Sequence, residues 1–248
     1  MTKAPAAKHP SIFGAFTCIE LLACLAACAL LVAIIAPALA TSHSRSDRVA
    51  CMSNLRQIGN ALRQFALEHD DNPAWRQVTG PDGNYNEPGK HELWFQYWWL
   101  RDSLGTPKIL MDPGDTRSTG RVATEWGLVP GVGLQSLKNR AVSYALGMGL
   151  FRGSDYEYTD VPRTIIALDR HFMANWYSGS GNCGGGLWTC VEVRPETTGW
   201  HNDVHGVVFG NVAFADGSVD SLGAEQLREA VRKISSTYIR IHVADWYQ

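Results

Sequence analysis

The chain has 248 residues, of which 45% are hydrophobic and 19% charged, and its formal net charge at pH 7 is −2. These values are typical of a folded protein with room for a membrane anchor and one soluble domain of about 180 residues. A charge so close to zero, without a basic stripe interleaved with aromatic residues, excludes the electrostatic signature of nucleic-acid binding. We therefore expect no nucleic-acid partner.

The N-terminal part of the chain carries one long helical pattern. The twenty residues 21–40 hold no charge, and as a helix rising about 1.5 Å per residue they would cross a hydrocarbon core of roughly 30 Å. The polar continuation keeps apolar residues three or four positions apart, the spacing of one helical face: Val49, Met52, Leu55, Ile58, Leu62 and Phe65. The pattern predicts a single helix that leaves a membrane and enters a folded domain, ending at Asp70, Asp71 and Asn72.

Glu20 stands at the edge of the apolar run. A carboxylate inside a bilayer costs on the order of 2.5–3.5 kcal/mol unless it finds a partner. Cleavage before Phe16 would supply one, because the new α-amine would lie four residues from Glu20, and such positions face each other on a helix. The partner would be the amine of the same subunit or of a neighbour.

The segment AFTCIELL, Ala15 to Leu22, resembles the processing site of type IV pilins and type II secretion pseudopilins. That resemblance implies a short basic leader, here with Lys3 and Lys8, and cleavage between Ala15 and Phe16 by a prepilin peptidase, with methylation of the new amine. It also implies assembly with other pseudopilins or with further copies of the chain, Glu20 setting the register. Pro37 and the stretch SNLRQIGNALRQFA fit the same family, whereas Ala15 stands where its members usually have Gly.

The resemblance implies a domain organisation and a location. Residues 1–15 form the leader, 16–40 the transmembrane half of the N-terminal helix, 41–72 its extracytoplasmic half, and 73–248 an α+β head. The expected fold is pilin-like, with the long helix packed on an antiparallel β-sheet. The protein would cross the inner (cytoplasmic) membrane once and expose its head in the periplasm or outside the cell.

An ordinary secretion signal is the alternative interpretation of the N-terminus. A basic start, an apolar run and Ala38-Leu39-Ala40 also fit a signal peptide cut before Thr41. Glu20, Pro37 and SNLRQIG favour the pilin-type interpretation.

The six cysteines fall into three groups. Cys18, Cys24 and Cys28 are interpreted as small apolar packing residues of the membrane segment. Cys183 and Cys190 bracket a glycine-rich loop on the expected extracytoplasmic side, which predicts a disulfide closing that loop. Cys51 is left over. In the proteins that the chain resembles, the matching cysteine commonly faces a second one in a Cys-Pro-Ser-Asp segment, and here Asp112 takes that place, which implies that Cys51 is free or intermolecular.

The head carries a short series of predicted elements. An aromatic face predicts a helix over 93–104, and apolar runs predict strands over 141–148 and Thr164 to Asp169. Two alternating strands, Asn211 to Ala215 and Ser218 to Leu222, flank Asp216-Gly217, a strong hairpin signal. A helix over Ala224 to Ile234 and a closing strand over Tyr238 to Val243 follow.

The C-terminal block resembles a signature of prepilin-like proteins, written as His, nine residues, Asp-Gly. Here ten residues separate His205 from Asp216, as a one-residue insertion near 207–209 would produce. The spacing leaves the expected fold intact but removes the basis for borrowing a role for His205.

The sequence gives little support for catalysis. His201, Asp203 and His205 would project to one side of a strand and could bind zinc with an activating water, but WHND running into Gly206 favours a loop. A Gly-Ser-Gly-Asn-Cys-Gly match to the dinucleotide fingerprint neither follows a clear strand nor opens a helix. We therefore expect no enzyme and no cofactor, and assign no metal ligand. Three alternatives stay open: a metal-dependent hydrolase, a non-polymerising cargo or adhesive module, and calcium binding by some of Asp112, Asp115, Asp155, Asp160 and Asp203.

Overall fold

A computed structural model describes residues 17–71, 73–74, 92–115, 122–147, 150–152, 155–157, 163–173, 190–200, 209–235 and 239–242. Backbone contacts divide the chain into two units, Met1–His43 and Ser44–Gln248. Helix α1, Cys18–Glu68, has 51 residues and contributes to both units.

In the first unit, the large apolar side chains of α1 are exposed in the isolated chain, among them Ile19, Leu22, Leu30 and Ile34. Within the part of the chain that the structure describes, no helix combines the length and the apolar character needed to span a membrane.

In the second unit, α1 buries one face. Its buried positions are spaced by four, three, four and three residues: Cys51, Leu55, Ile58, Leu62 and Phe65. The predicted face is confirmed from Leu55 onward, but Val49 is 67% exposed. Val49 precedes Cys51 by two residues, about 200° around the helix, which turns it to the opposite side. Asp70 and Asp71 then adopt positive φ, and the N–H of Asp71 donates to the carbonyl of Ala66 at 2.9 Å, closing the helix end.

The second unit is built on a six-stranded sheet with the order β6-β10-β1-β4-β8-β9. Every neighbouring pair in it is antiparallel, so the fold is α+β with an antiparallel sheet, as predicted. Two small two-stranded sheets pair β2 with β3 and β5 with β7. The strands are β1 Tyr144–Gly147, β2 Leu150–Arg152, β3 Asp155–Glu157, β4 Ile165–Asp169, β5 Phe172–Met173, β6 Cys190–Val193, β7 Gly199–Trp200, β8 Phe209–Phe214, β9 Val219–Gly223 and β10 Ile239–His242.

The remaining helices are short except for the last. They are α2 Leu93–Trp99, α3 Arg101–Leu104, α4 Leu134–Leu137 and α5 Ala224–Ile234, with 3₁₀ turns at Pro107–Leu110 and Lys138–Ala141. The predicted helix over 93–104 is therefore two helices that meet at Leu100, and α5 has the predicted bounds. The predicted strand over 141–148 begins later, at Tyr144, because the second 3₁₀ turn occupies its start.

Two hydrophobic clusters cover the two faces of the sheet. One contains the buried face of α1 and side chains of α2 together with Tyr144, Leu146 and Ile166. The other contains Leu227, Val231 and Ile234 of α5 together with strand residues such as Ala145 and Leu168. Because both faces are covered, β1 and β4 are buried along their whole length instead of alternating between apolar and polar residues.

The hairpin β8–β9 forms around the predicted turn. Gly217 has φ +88°, a backbone conformation that glycine adopts without steric cost. The Asp216 carboxylate accepts the N–H of Ser218 at 2.8 Å and its hydroxyl at 2.6 Å. Burial would raise the pKa of Asp216, but these hydrogen bonds and the charges of Arg163 and Arg63 together lower it. The Asp-Gly half of the C-terminal signature is thus accounted for as turn chemistry.

The contact between β1 and β4 leaves no room for a side chain at Gly147. A Cβ there would lie 2.0 Å from the backbone oxygen of Ile165. We expect Gly147→Ala to lower the free energy of unfolding by about 1–3 kcal/mol or more, since backbone atoms of a central strand would have to shift. Gly127→Ala is the matched control, because a Cβ at Gly127 has nothing within 4 Å. Denaturant unfolding of both variants measures the difference, and equal stabilities would contradict this packing of β1 on β4.

Candidate functional site

Most of the predicted site residues lie outside the described ranges. These are Ala15 and Phe16 of the processing site, Cys183 of the predicted disulfide, the three residues His201, Asp203 and His205, and Asp160. Cys190 opens β6 and Asp155 opens β3, but neither side chain is described. The Cys183–Cys190 disulfide therefore stays a prediction.

Glu20 is described, and its carboxylate contacts the start of α1. The N–H and the hydroxyl of Thr17 both donate to its Oε2 at 2.8 Å, and its own N–H approaches the Thr17 hydroxyl oxygen at 3.4 Å. This reciprocal arrangement is a capping box, and a negative charge in the first turn also complements the helix dipole. The Thr-x-x-Glu spacing, here Thr17 to Glu20, is the sequence signal for this capping box.

A buried polar cluster lies between α1 and the sheet. It joins the Cys51 thiol of α1, the Asp112 carboxylate from the segment after the first 3₁₀ turn, and the Asp169 carboxylate at the end of β4. The Cys51 sulfur and one carboxylate oxygen from each aspartate all lie within 4.8 Å of one another. The three residues are 0%, 3% and 1% exposed, so this cluster, here called the Cys51 cluster, is enclosed by protein.

Asn211 of β8 completes the Cys51 cluster. The Cys51 thiol donates to Asp169 Oδ1 at 2.8 Å, and the backbone N–H of Asn211 donates to Asp169 Oδ2 at 2.7 Å. The side-chain amide nitrogen of Asn211 donates to Cys51 Sγ at 3.2 Å. The amide oxygen of Asn211 is buried and has no hydrogen-bond partner among the described residues.

A buried ion pair adjoins the Cys51 cluster. Asp115 Oδ2 lies 2.5 Å from Arg170 Nη2 and accepts the hydroxyl of Ser143 at 2.7 Å, while Arg170 also donates to the carbonyl of Val142. In the Asp-Pro-Gly-Asp turn, the N–H of Gly114 donates to the Asp112 carboxylate at 2.9 Å. The same tight turn therefore supplies the Asp112 carboxylate to the Cys51 cluster and the Asp115 carboxylate to the ion pair.

The environment keeps the Cys51 thiol protonated. Burial raises the pKa of Cys51 well above its ordinary value, and the negative charges of Asp169 and Asp112 raise it further. Burial likewise raises the pKa of Tyr144, whose hydroxyl accepts the side-chain amide of Asn54 at 3.2 Å. A protonated, enclosed thiol is a poor nucleophile.

The expected relation between Cys51 and Asp112 is found in the structure. Asp112, which stands where the resemblance implies a second cysteine, lies beside Cys51. The Cys51 thiol is free and fully buried in the single chain, so the structure shows the free state. The contacts of Cys51 with Asp169 and Asn211 were not predicted.

No family model matches the chain, and neither a curated protein nor a solved structure matches it.

The enclosure of Cys51 predicts slow chemical modification. In the native full-length chain, we expect a maleimide reagent to leave Cys51 unlabelled. Burial blocks access of the reagent, and the raised pKa of the thiol keeps the fraction of reactive thiolate low. A cysteine introduced by Ser103→Cys, at an exposed position of α3, is the control and is expected to react within minutes. Peptide mass spectrometry after native and denaturing labelling makes the comparison, and rapid native labelling of Cys51 would show that the cluster is open.

Proposed function

We propose that this chain is a pseudopilin-like structural subunit of a type II secretion or type IV pilus-type assembly. The observation that carries the proposal is the prepilin-type motif AFTCIELL, which leads directly into a helix of 51 residues, Cys18–Glu68. The second half of this helix packs on an antiparallel sheet, which agrees with the architecture that the resemblance implies.

The exposed apolar surface of the helix start supports an associative role. Ile19, Leu22, Leu30 and Ile34 are each more than 60% exposed in the isolated chain. Contiguous apolar surface of this kind marks a membrane or protein interaction site. In the proposed assembly, lipid and the corresponding helices of neighbouring subunits cover it, while the head meets cargo or partners outside the cytoplasmic membrane. The uncharged run 21–40 supports the membrane location.

The first test is the N-terminus of the mature protein. Cells expressing the full chain are fractionated, and the N-terminal peptide is identified by mass spectrometry in membrane and soluble fractions. We expect Phe16, free or methylated, in the membrane fraction and its loss when prepilin peptidase is absent. A mature N-terminus at Thr41 in the soluble fraction would contradict the proposal and show that the protein is secreted. The alternative of a metal-dependent hydrolase that uses His201, Asp203 and His205 would then be favoured.

The second test separates two roles of Glu20. Glu20→Gln keeps a side chain that can close the capping box but removes the charge, whereas Glu20→Ala removes both. If Glu20 neutralises a terminal amine and sets register, both variants enter the membrane but assemble at least several-fold less well than the natural chain. Cross-linking of membrane fractions measures assembly. Normal assembly of Glu20→Gln alongside failure of Glu20→Ala would reduce Glu20 to a capping residue and refute the register role.

A further inference from the structure

The Cys51 cluster brings together an unusual set of ligand atoms. A sulfur and two carboxylates from distant parts of the chain lie within 4.8 Å of one another, in surroundings where each residue is at least 97% buried. Asn211, only 1% exposed, directs its amide into the same space, since its nitrogen lies 3.2 Å from Cys51 Sγ. Its amide oxygen has no hydrogen-bond partner among the described residues, although a buried acceptor normally has one.

The Asn211 amide can also offer its oxygen to the cluster. Rotation of the Asn211 amide about its terminal bond exchanges the positions of oxygen and nitrogen, which would place Oδ1 beside Cys51 Sγ. The four residues would then present one sulfur and three oxygens toward a common centre. Four donors around one ion match the closed tetrahedral geometry of structural zinc sites.

We propose that Cys51, Asp112, Asp169 and Asn211 form a structural site for a divalent transition-metal ion of the zinc class. The sulfur selects the ion: zinc binds cysteine sulfur at about 2.3 Å and carboxylate oxygen at about 2.0–2.2 Å, whereas calcium and magnesium take oxygen ligands. The site uses none of the residues His201, Asp203 and His205 considered for catalysis, and it does not depend on the role of the chain in an assembly.

Binding exchanges a proton for the metal. The S–H bond of Cys51 breaks, a metal–sulfur bond forms with the electron pair left on sulfur, and the proton goes to solvent. The hydrogen bond from the thiol to Asp169 Oδ1 is replaced by coordination of both groups to the ion. No oxidant or reductant is required.

The bound ion would connect four chain segments. Cys51 belongs to α1, Asp112 to the turn after the first 3₁₀ segment, Asp169 to β4 and Asn211 to β8, so coordination would fix the helix to the centre of the sheet. Because the site is enclosed, the ion would enter while the chain folds, and metal affinity would appear as folding stability.

The test uses the full-length chain in detergent, unfolded with chelator and refolded with cobalt(II) or zinc. Cobalt bound to a thiolate gives near-ultraviolet charge-transfer absorption in addition to visible bands, so the spectrum reports the sulfur ligand directly. We expect about one equivalent of metal per chain, the charge-transfer band, and a higher Tm after refolding with zinc.

Variants locate the site. Cys51→Ala is expected to abolish the charge-transfer band, and Asn211→Ala to weaken cobalt binding by about tenfold or more. Asp102→Asn, at a side chain that is 86% exposed, is the control and should bind as the natural chain does. Absence of the band in the natural chain overturns the proposal whether or not any variant folds. So does a band that persists in Cys51→Ala, or metal binding that disappears only when His201 and His205 are replaced.

Discussion

The packing of one face of α1 on the sheet is the constraint on which the second unit depends. Gly59 faces the sheet, where a Cβ would be 3.4 Å from Ile166 Cδ1 and 3.8 Å from the Cβ of Ala213. Leu55, Ile58 and Leu62 flank this contact, and burial of each contributes roughly 1.5–3 kcal/mol. Since the helix is held at this distance, Cys51, two turns before Gly59, is directed at the end of β4. The position of the polar cluster is therefore a consequence of apolar packing.

Local signals in the sequence were sufficient for much of the fold. The 3.6-residue spacing of apolar residues predicted α5 and most of the buried face of α1. Asp216-Gly217 predicted the hairpin turn, because the ability to adopt positive φ is a property of glycine itself. The same signals could not order the strands. β10, the last described strand, lies between β6 and β1, a placement set by the pairing of segments far apart in the chain and not by any short stretch of it.

The Cys51 cluster was largely invisible for the same reason. Cys51 is separated from Asp169 by 118 positions and from Asn211 by 160, and no spacing rule links residues so distant. Only the proximity of Asp112 to Cys51 could be predicted, and that prediction came from the family resemblance. Asn211, the polar residue at the start of a predicted strand, was a usable signal, because buried amides need partners.

Polar groups in this core add specificity that apolar contacts lack. Apolar side chains tolerate small shifts, whereas the Asp115–Arg170 pair and the Cys51–Asp169 contact require defined atoms to meet within about 3 Å. A buried ion pair contributes little to the net free energy of unfolding, but removing one partner lowers that free energy strongly, because the other charge is left buried without compensation. Its effect is to penalise any packing of the Asp-Pro-Gly-Asp turn against the sheet other than the observed one, so the turn that carries Asp112 is held in register beside α1.

The capping geometry of Glu20 bears on whether one carboxylate can serve both the helix and an assembly. Both bonds from Thr17 fall on Oε2, and among the described residues none is donated to Oε1. Cleavage before Phe16 would leave Thr17 as the second residue of the mature chain, so its N–H and hydroxyl would persist and the cap would survive. The new amine would then lie four positions from Glu20, where Oε1 remains able to accept it or the amine of a neighbour. Helix capping would in this way hold the carboxylate in place for the intersubunit contact and would not compete with it.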